Sequence, residues 1–184
     1  MTTLPLSVRL AGPDDAAAVG AFGERSFRET FGPDNRPEDM DAYCAATYAV
    51  DRQRAELAAP DRVTLLAEVE GVLTGYAQLR DGAAPACVTG PDPIELLRFY
   101  VDRRWHGQGI AGALMEQTVA EAVRRGRRTL FLAVWERNPR AIAFYRKQGF
   151  RDVGSQPFHL GKDVQTDRVM VRALGRANDG AQAD

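Results

Sequence analysis

The chain has 184 residues, 45% hydrophobic and 27% charged, with a formal net charge of -1 at pH 7. That length suits one sizeable core rather than two, and the balanced charge excludes a nucleic-acid binder working by bulk electrostatics. Two cysteines, Cys44 and Cys87, are too few for a disulfide framework and read as free thiols.

The start "MTTLPLSVRL" lacks the apolar core of a signal peptide, and no run approaches the roughly 20 apolar residues of a membrane span. The expectation is a cytoplasmic protein whose partners are neither nucleic acid nor membrane. A strand begins at Leu6. Asp14 and Asp15 then open a helix that runs to about Phe31, with acids in its first turn. Pro37 suits the first turn of a second helix, and a short third one covers Asp51 to Ala59, ended by Pro60. "RVTLLAEVEGVLTGYAQLRD" reads as two strands joined at Glu70-Gly71. "GAAPACVTGPDP" reads as a mobile loop.

"IELLRFYV" is a further strand, and a glycine-rich turn, "RRWHGQGIAGALM", leads from it into a helix ending at Gly126. "RTLFLAVW" is a strand. "NPRAIAFYRKQ" is a helix with Asn138 as N-cap and Gly149 at its end. "FRDVGSQPFHL" and "TDRVMVRAL" close the series as two strands. Residues 1–174 form one domain in this reading, and 175–184 a polar, disordered tail. The order implies a mixed α/β sheet with helices on its faces and a right-handed parallel unit over residues 94–135.

The turn carries Gly107, Gly109 and Gly112. Glycines let backbone N–H groups approach a phosphate, and a helix N-terminus adds partial positive charge. The spacing satisfies G-x-G-x-x-G, so dinucleotide binding, another phosphate site and a tight turn without ligand all remain open. Five residues separate the turn from Val101, and too little chain follows for a second mononucleotide-binding half, which speaks against a dinucleotide.

Two stretches together resemble the GNAT N-acetyltransferase superfamily. "YVDRRWHGQGIAGALM" is similar to its acyl-coenzyme A loop, Q/R-x-x-G-x-G/A, with His106 where the family has Gln or Arg, then Gly109 and Ala111. "NPRAIAFYRKQGF" resembles the second signature at Asn138, Ala141, Phe144, Tyr145, Lys147, Gly149 and Phe150. "SFRETFGPDNRPEDMDAY", "LAVWERN" and "FHLGKDVQTD" look like the PaiA-type branch, which includes polyamine acetyltransferases. The resemblance covers about residues 6–174. It implies a GNAT fold: a central, twisted, mostly antiparallel sheet with one parallel, splayed strand pair and helices on both faces.

It also implies acetyl-CoA as cosubstrate and no metal. Pantetheine would pair with the backbone of Phe99, Tyr100 and Val101, and pyrophosphate would lie along His106, Gly107, Gln108, Gly109, Ile110, Ala111 and Gly112. Asn138 and Lys147 would also border the cofactor, with Arg103 or Arg104 reaching outer phosphates. Tyr145 would donate a hydrogen bond or a proton to the leaving sulfur, a phenol with a pKa of about 10 facing a thiolate whose acid has a pKa of about 8.5. The base for the amine is open among Glu95, Glu136, His159 and a water chain. Glu95 is the first candidate, because simple alternation groups it with Leu97 and Phe99.

Glu29, Trp135 and His159 are expected at the acceptor side, near a stretch from Glu29 to Asp41 that holds five acids and one base. Such a rim would attract a cationic amine. The leading expectation is acetylation of a small amine or polyamine. The alternatives are acetylation of a peptide N-terminus and a non-catalytic acyl-CoA sensor. A homodimer is the family-level expectation for assembly.

Overall fold

A computed structural model describes residues 5–175; the first four residues and 176–184, most of the expected tail, lie outside the described residues. Seven strands form one sheet in the order β1-β2-β3-β4-β5-β7-β6. They are β1 (Leu6–Leu10), β2 (Arg62–Val69), β3 (Val72–Arg80), β4 (Pro93–Val101), β5 (Thr129–Trp135), β6 (Arg151–Leu160) and β7 (Asp163–Ala173). Among the described residues only β4 and β5 pair in parallel; every other neighbouring pair is antiparallel. The helices are α1 (Ala16–Phe31), α2 (Pro37–Tyr48), α3 (Val50–Ala58), α4 (Ile110–Arg124) and α5 (Pro139–Lys147). The mixed α/β sheet expected from the sequence is present.

The turns follow local chemistry. Glu70 and Gly71 both take positive φ, 51° and 77°, as a two-residue turn that matches strand twist requires. Gly126 at φ 75° ends α4, where its amide and that of Arg127 bond back to Val123 and Ala122.

Two faces of the sheet are packed differently. On one, α4 and α5 press an apolar core of aliphatic residues. Ile110, Leu114, Met115 and Ala122 recur at helical spacing and meet Leu65, Ala77, Leu79, Leu96, Leu130 and Leu132. Burying each large side chain there stabilises the fold by about 1.5–3 kcal/mol. On the other, α1, α2 and α3 cover an aromatic layer. Phe22 meets Tyr76 edge-on, and Phe27 lies 4.5 Å from both Phe31 and Tyr43. Beneath α3 sits a buried polar group: Arg98 donates to Glu56 (2.5 Å) and Gln78 (2.7 Å), and Gln78 donates to Thr64 (3.1 Å).

The last hairpin closes onto the aromatic face. Gly161, at φ 60°, lies so close to the Asp39 carboxylate that a Cβ would overlap it, and Gln165 donates to the Asn35 side chain. The 82–93 segment, expected to be mobile, instead packs down: Cys87 lies against Gly154 closely enough that a Cβ there would sit 2.9 Å away, Thr129 donates to the Pro91 carbonyl, and Pro93 already begins β4. Its small residues serve close approach. Cys44 and Cys87 are free. Among the described residues no helix is long and apolar enough to cross a membrane.

Candidate active site

β4 and β5 pair only from Pro93–Glu95 to Thr129–Phe131. Beyond that they part, so the edges of Leu96–Val101 and Leu132–Trp135 that face each other carry backbone groups without a strand partner there. The cause is local. β4 pairs with β3 through Gln78↔Arg98 and then Leu79↔Leu96, which leaves Leu97 as an extra residue. A bulge of this kind bends the strand and re-aims its side chains.

The bulge also corrects one expectation. Alternation assigned Glu95, Leu97 and Phe99 to one face, but Phe99 packs against the same aliphatic core as Ile94 and Leu96. Glu95 therefore lies on the opposite face from Phe99. It sits where β4 and β5 are still paired, and Arg80 occupies its carboxylate at 2.5 Å. The structure does not bring it to the splay.

Past Val101 the chain makes a short 3-10 turn, Arg103–Trp105, and then the glycine turn. Asp102 anchors it by accepting from the Arg104 amide (3.0 Å) and side chain (2.6 Å), with Arg25 at 3.4 Å. The Arg104 side chain, against the opposing effect of burial, holds the Asp102 carboxyl down at about 2. Gly107 and Gly109 take φ 78° and 85°, and Gly109 is the N-cap of α4 with no side-chain cap. The first bond of the helix runs from Ala113 N to Gly109 O, so the amides of Ile110, Ala111 and Gly112 have no intrahelical acceptor. A Cβ at Gly107, Gly109 or Gly112 would meet no protein atom within 4 Å. These glycines are not required by internal packing. They leave the backbone bare, as contact with an anion demands. Buried Ile110 roots the helix start in the core.

His106 has a definite job. One ring nitrogen lies 2.9 Å from the Val101 carbonyl, and Arg140 of α5 donates to the other at 2.8 Å. Arg140 can only donate, so Nδ1 accepts and Nε2 carries the proton given to Val101. The side chain ties the end of β4, the glycine turn and the start of α5 together, and it occupies the Val101 carbonyl. Gln108 is exposed and donates to the Arg104 carbonyl. Lys147 is exposed.

Asn138 accepts from Ala141 N at 3.2 Å, a side-chain N-cap that starts α5 at Pro139. From that helix Tyr145, 9% exposed, reaches the sheet on the α4–α5 side. Its ring makes edge contacts with Phe99, Phe144 and Phe150. Burial pushes its hydroxyl well above the usual phenol value, so it stays protonated at neutral pH.

The opposite face of the splay is built from side chains. Tyr100 projects there and meets the Tyr48 hydroxyl at 3.0 Å; burial pushes its phenol up to about 12. Trp135, 7% exposed, packs 5.4 Å from Phe31. Phe158 meets Tyr43 edge-on. His159 does not join them: it is exposed, between Phe158 and Leu160, which both turn toward the aromatic layer. Glu136 is exposed just beyond β5. Glu29 is exposed on α1 and its charge acts on Arg104, which places it toward the glycine turn. The acidic rim is partly neutralised from within, since Arg28 bonds Asp41 and Arg36 lies 3.8 Å from Glu38.

Sequence reasoning missed Asp167. It is 9% exposed and directly opposite Trp135 in the β5–β7 pairing. The signal was an acid at an inward position of a strand, in step with Val169 and Val171. Among the described residues no cluster of His, Cys, Asp or Glu is arranged to hold a metal ion.

Residues 25–150 match the acetyltransferase (GNAT) family model. An uncharacterised N-acetyltransferase of Lactobacillus delbrueckii subsp. lactis is 31% identical over 84% of this chain and 89% of its own. Another, from Mycobacterium bovis, is 34% identical over 87% of this chain and 98% of its own. Among solved structures, the PaiA N-acetyltransferase of Thermoplasma acidophilum, in complex with coenzyme A, superposes with a TM-score of 0.77. It is 18% identical, over 93% of this chain and all of that one. At that identity the likeness is one of fold.

Proposed function

The chain belongs to the GNAT acetyltransferase family, and on that premise we propose that it moves an acetyl group from acetyl-coenzyme A to a small primary amine or polyamine. One observation carries the reading. The unpaired edge of β4 leads through one short 3-10 turn into a glycine turn with bare amides at the start of α4. A pantetheine arm can add to the strand edge as an extra strand would, and a pyrophosphate fits the amides of Gly109 to Gly112. Phe99 and Tyr100 supply the strand edge; the Val101 carbonyl is given to His106 instead. Exposed Arg103 and Lys147 are free to meet outer phosphates.

The chemistry follows from the two faces. The amine nitrogen attacks the thioester carbon, a C–N bond forms and the C–S bond breaks. Of the two protons an ammonium must lose, one goes to solvent and the other replaces the proton that Tyr145 gives to the leaving sulfur. The phenol is protonated at neutral pH and so carries the proton; burial makes it a weaker acid, so the donation relies on the negative charge that develops on the sulfur as the C–S bond breaks. The amine would enter from the side of Trp135, Phe31 and Tyr43, whose rings suit its methylene groups. PaiA-type membership is supported by the sequence stretches quoted above and by the shared fold.

A thiol-release assay with acetyl-coenzyme A against monoamines, diamines, polyamines, amino acids and peptides tests this. Turnover with small amines is expected. Turnover confined to peptides, or coenzyme A binding with no thiol release for any acceptor, would overturn the acceptor or the enzyme reading respectively.

A further inference from the structure

We propose that Asp167 anchors a second cationic nitrogen of the acceptor, making the preferred substrate a diamine or longer polyamine. The proposal rests on the acetyl-transfer reading above and adds a specificity residue to it.

Position comes first. Asp167 stands opposite Trp135, and residues directly opposite in an antiparallel pair share a face. Trp135 packs on Phe31 of α1, so the Asp167 carboxylate belongs to the aromatic, acceptor-side face. β7 is one strand beyond β5, on the far side from the splay. Neighbouring strands lie about 4.8 Å apart, so the carboxylate is displaced sideways by more than that from the reacting carbon. It is too far for the attacking nitrogen, yet in reach of a nitrogen carried about three to five carbons away, at about 1.25 Å per methylene.

Isolation comes second. Asp167 is 9% exposed, and no hydrogen bond or ion pair holds its carboxylate among the described residues. Buried carboxylates are ordinarily paired. Here the guanidiniums of the neighbouring elements are engaged elsewhere: Arg98 with Glu56 and Gln78, Arg28 with Glu24 and Asp41, and Arg168 with Asp152 at 4.0 Å. The groups on the elements around it carry no positive charge: Trp135 of β5, Gln156 opposite on β6, and Tyr43 of α2, whose phenol its charge helps to raise. Burial pushes the Asp167 carboxyl up to about 6, so at pH 7 it is largely charged. An ammonium would supply the missing partner, and the rings of Tyr43, Trp135 and Phe31 add cation–π attraction.

The test compares a diamine with a monoamine of equal carbon length, in the wild type and in Asp167→Asn. The wild type should favour the diamine. In the variant the diamine-to-monoamine ratio of kcat/KM should fall roughly 10²-fold, the usual effect of truncating one partner of a buried charge pair, with the change in KM rather than kcat. In the wild type, KM for the diamine should rise as pH falls through about 6 while that for the monoamine does not follow; this second readout needs no variant. A ratio unchanged within about threefold, with kcat lowered for both amines, overturns the anchor in favour of proton acceptance from the reacting nitrogen. Equal acetylation of both amines by the wild type overturns it and leaves acetyl transfer standing. Absence of thiol release with every amine removes both.

Discussion

The two faces of the splayed strand pair solve their tasks by different means. On the α4–α5 side the ligand contacts offered are backbone groups: an unpaired strand edge and three uncapped amides, bared by glycines that have no packing duty. On the α1–α3 side the contacts are side chains drawn from α1, α2, β4, β5, β6 and β7. A site read through the backbone is nearly indifferent to side-chain identity outside the glycines, so it suits an invariant cosubstrate. A site walled by side chains can be changed one residue at a time, so it suits an acceptor selected by shape and charge.

The contrast would break most sharply at Tyr145, the one side chain of the first face proposed to act on the reaction. Tyr145→Phe keeps the ring contacts with Phe99, Phe144 and Phe150. Turnover should fall roughly 10²–10⁴-fold while KM for acetyl-coenzyme A moves little. Turnover within about threefold of wild type, measured where chemistry limits the rate, would return Tyr145 to a packing role.

Gly109→Val sharpens the comparison next. A β-branched residue at φ 85° is strained by about 1–3 kcal/mol, and its side chain shields the bare amides. Coenzyme A affinity should drop about 10- to 100-fold by calorimetry, equivalent to one lost charge-assisted hydrogen bond or so. Unchanged affinity would remove the phosphate from this turn.

The other face should respond in stability instead. Glu56→Ala leaves Arg98 buried without its carboxylate, at a cost of about 3–5 kcal/mol. For a chain of this length that lowers the melting temperature by roughly 6–20 °C. Coenzyme A affinity of the folded variant should not change, and a parallel loss would show the two faces to be coupled.

The smallest effect concerns Asp102, which sits between them. Its folded carboxyl lies at about 2 against an ordinary 3.8. A depressed carboxylate contributes stability that is present above about pH 4 and lost as pH falls through about 2. Melting curves from pH 5 to 2 should show that loss in the wild type and a shallower one in Asp102→Asn.

The first face was legible in the sequence because its determinants are contiguous. Gly107 to Gly112 and Asn138 to Phe150 each lie on one turn or one helix, and positive φ, capping and helix starts are local properties. Of the second face the sequence offered Trp135 and Phe158, with no local pattern to link them to the rest. Tyr100, Trp135, Phe158 and Asp167 come from four strands that the sheet order brings together, and Tyr43 joins them from α2 by packing. Glu95 was misplaced for a related reason. One extra residue, Leu97, inverts the alternation beyond it, and a bulge depends on the partner strand as much as on its own sequence. His159 was misjudged by type, since a lone histidine in a strand is placed by register and not by its chemistry.

Strand order also sets a timetable for synthesis. β7 is made after β5 and β6, yet it is inserted between them. While the ribosome is still adding residues before Asp163, β5 has an open edge and Trp135 has no opposite neighbour. The glycine turn and α4 are synthesised by Arg124, although His106 of the turn waits for Arg140 and α4 for the core residues of β5 and α5. A nascent chain therefore holds every residue of the proposed coenzyme site by Lys147, before Asp163 begins the strand that completes the proposed acceptor face. Arrival of β7 closes the exposed edge, a hazard for association with other unfinished chains, in the same event that delivers the carboxylate of Asp167.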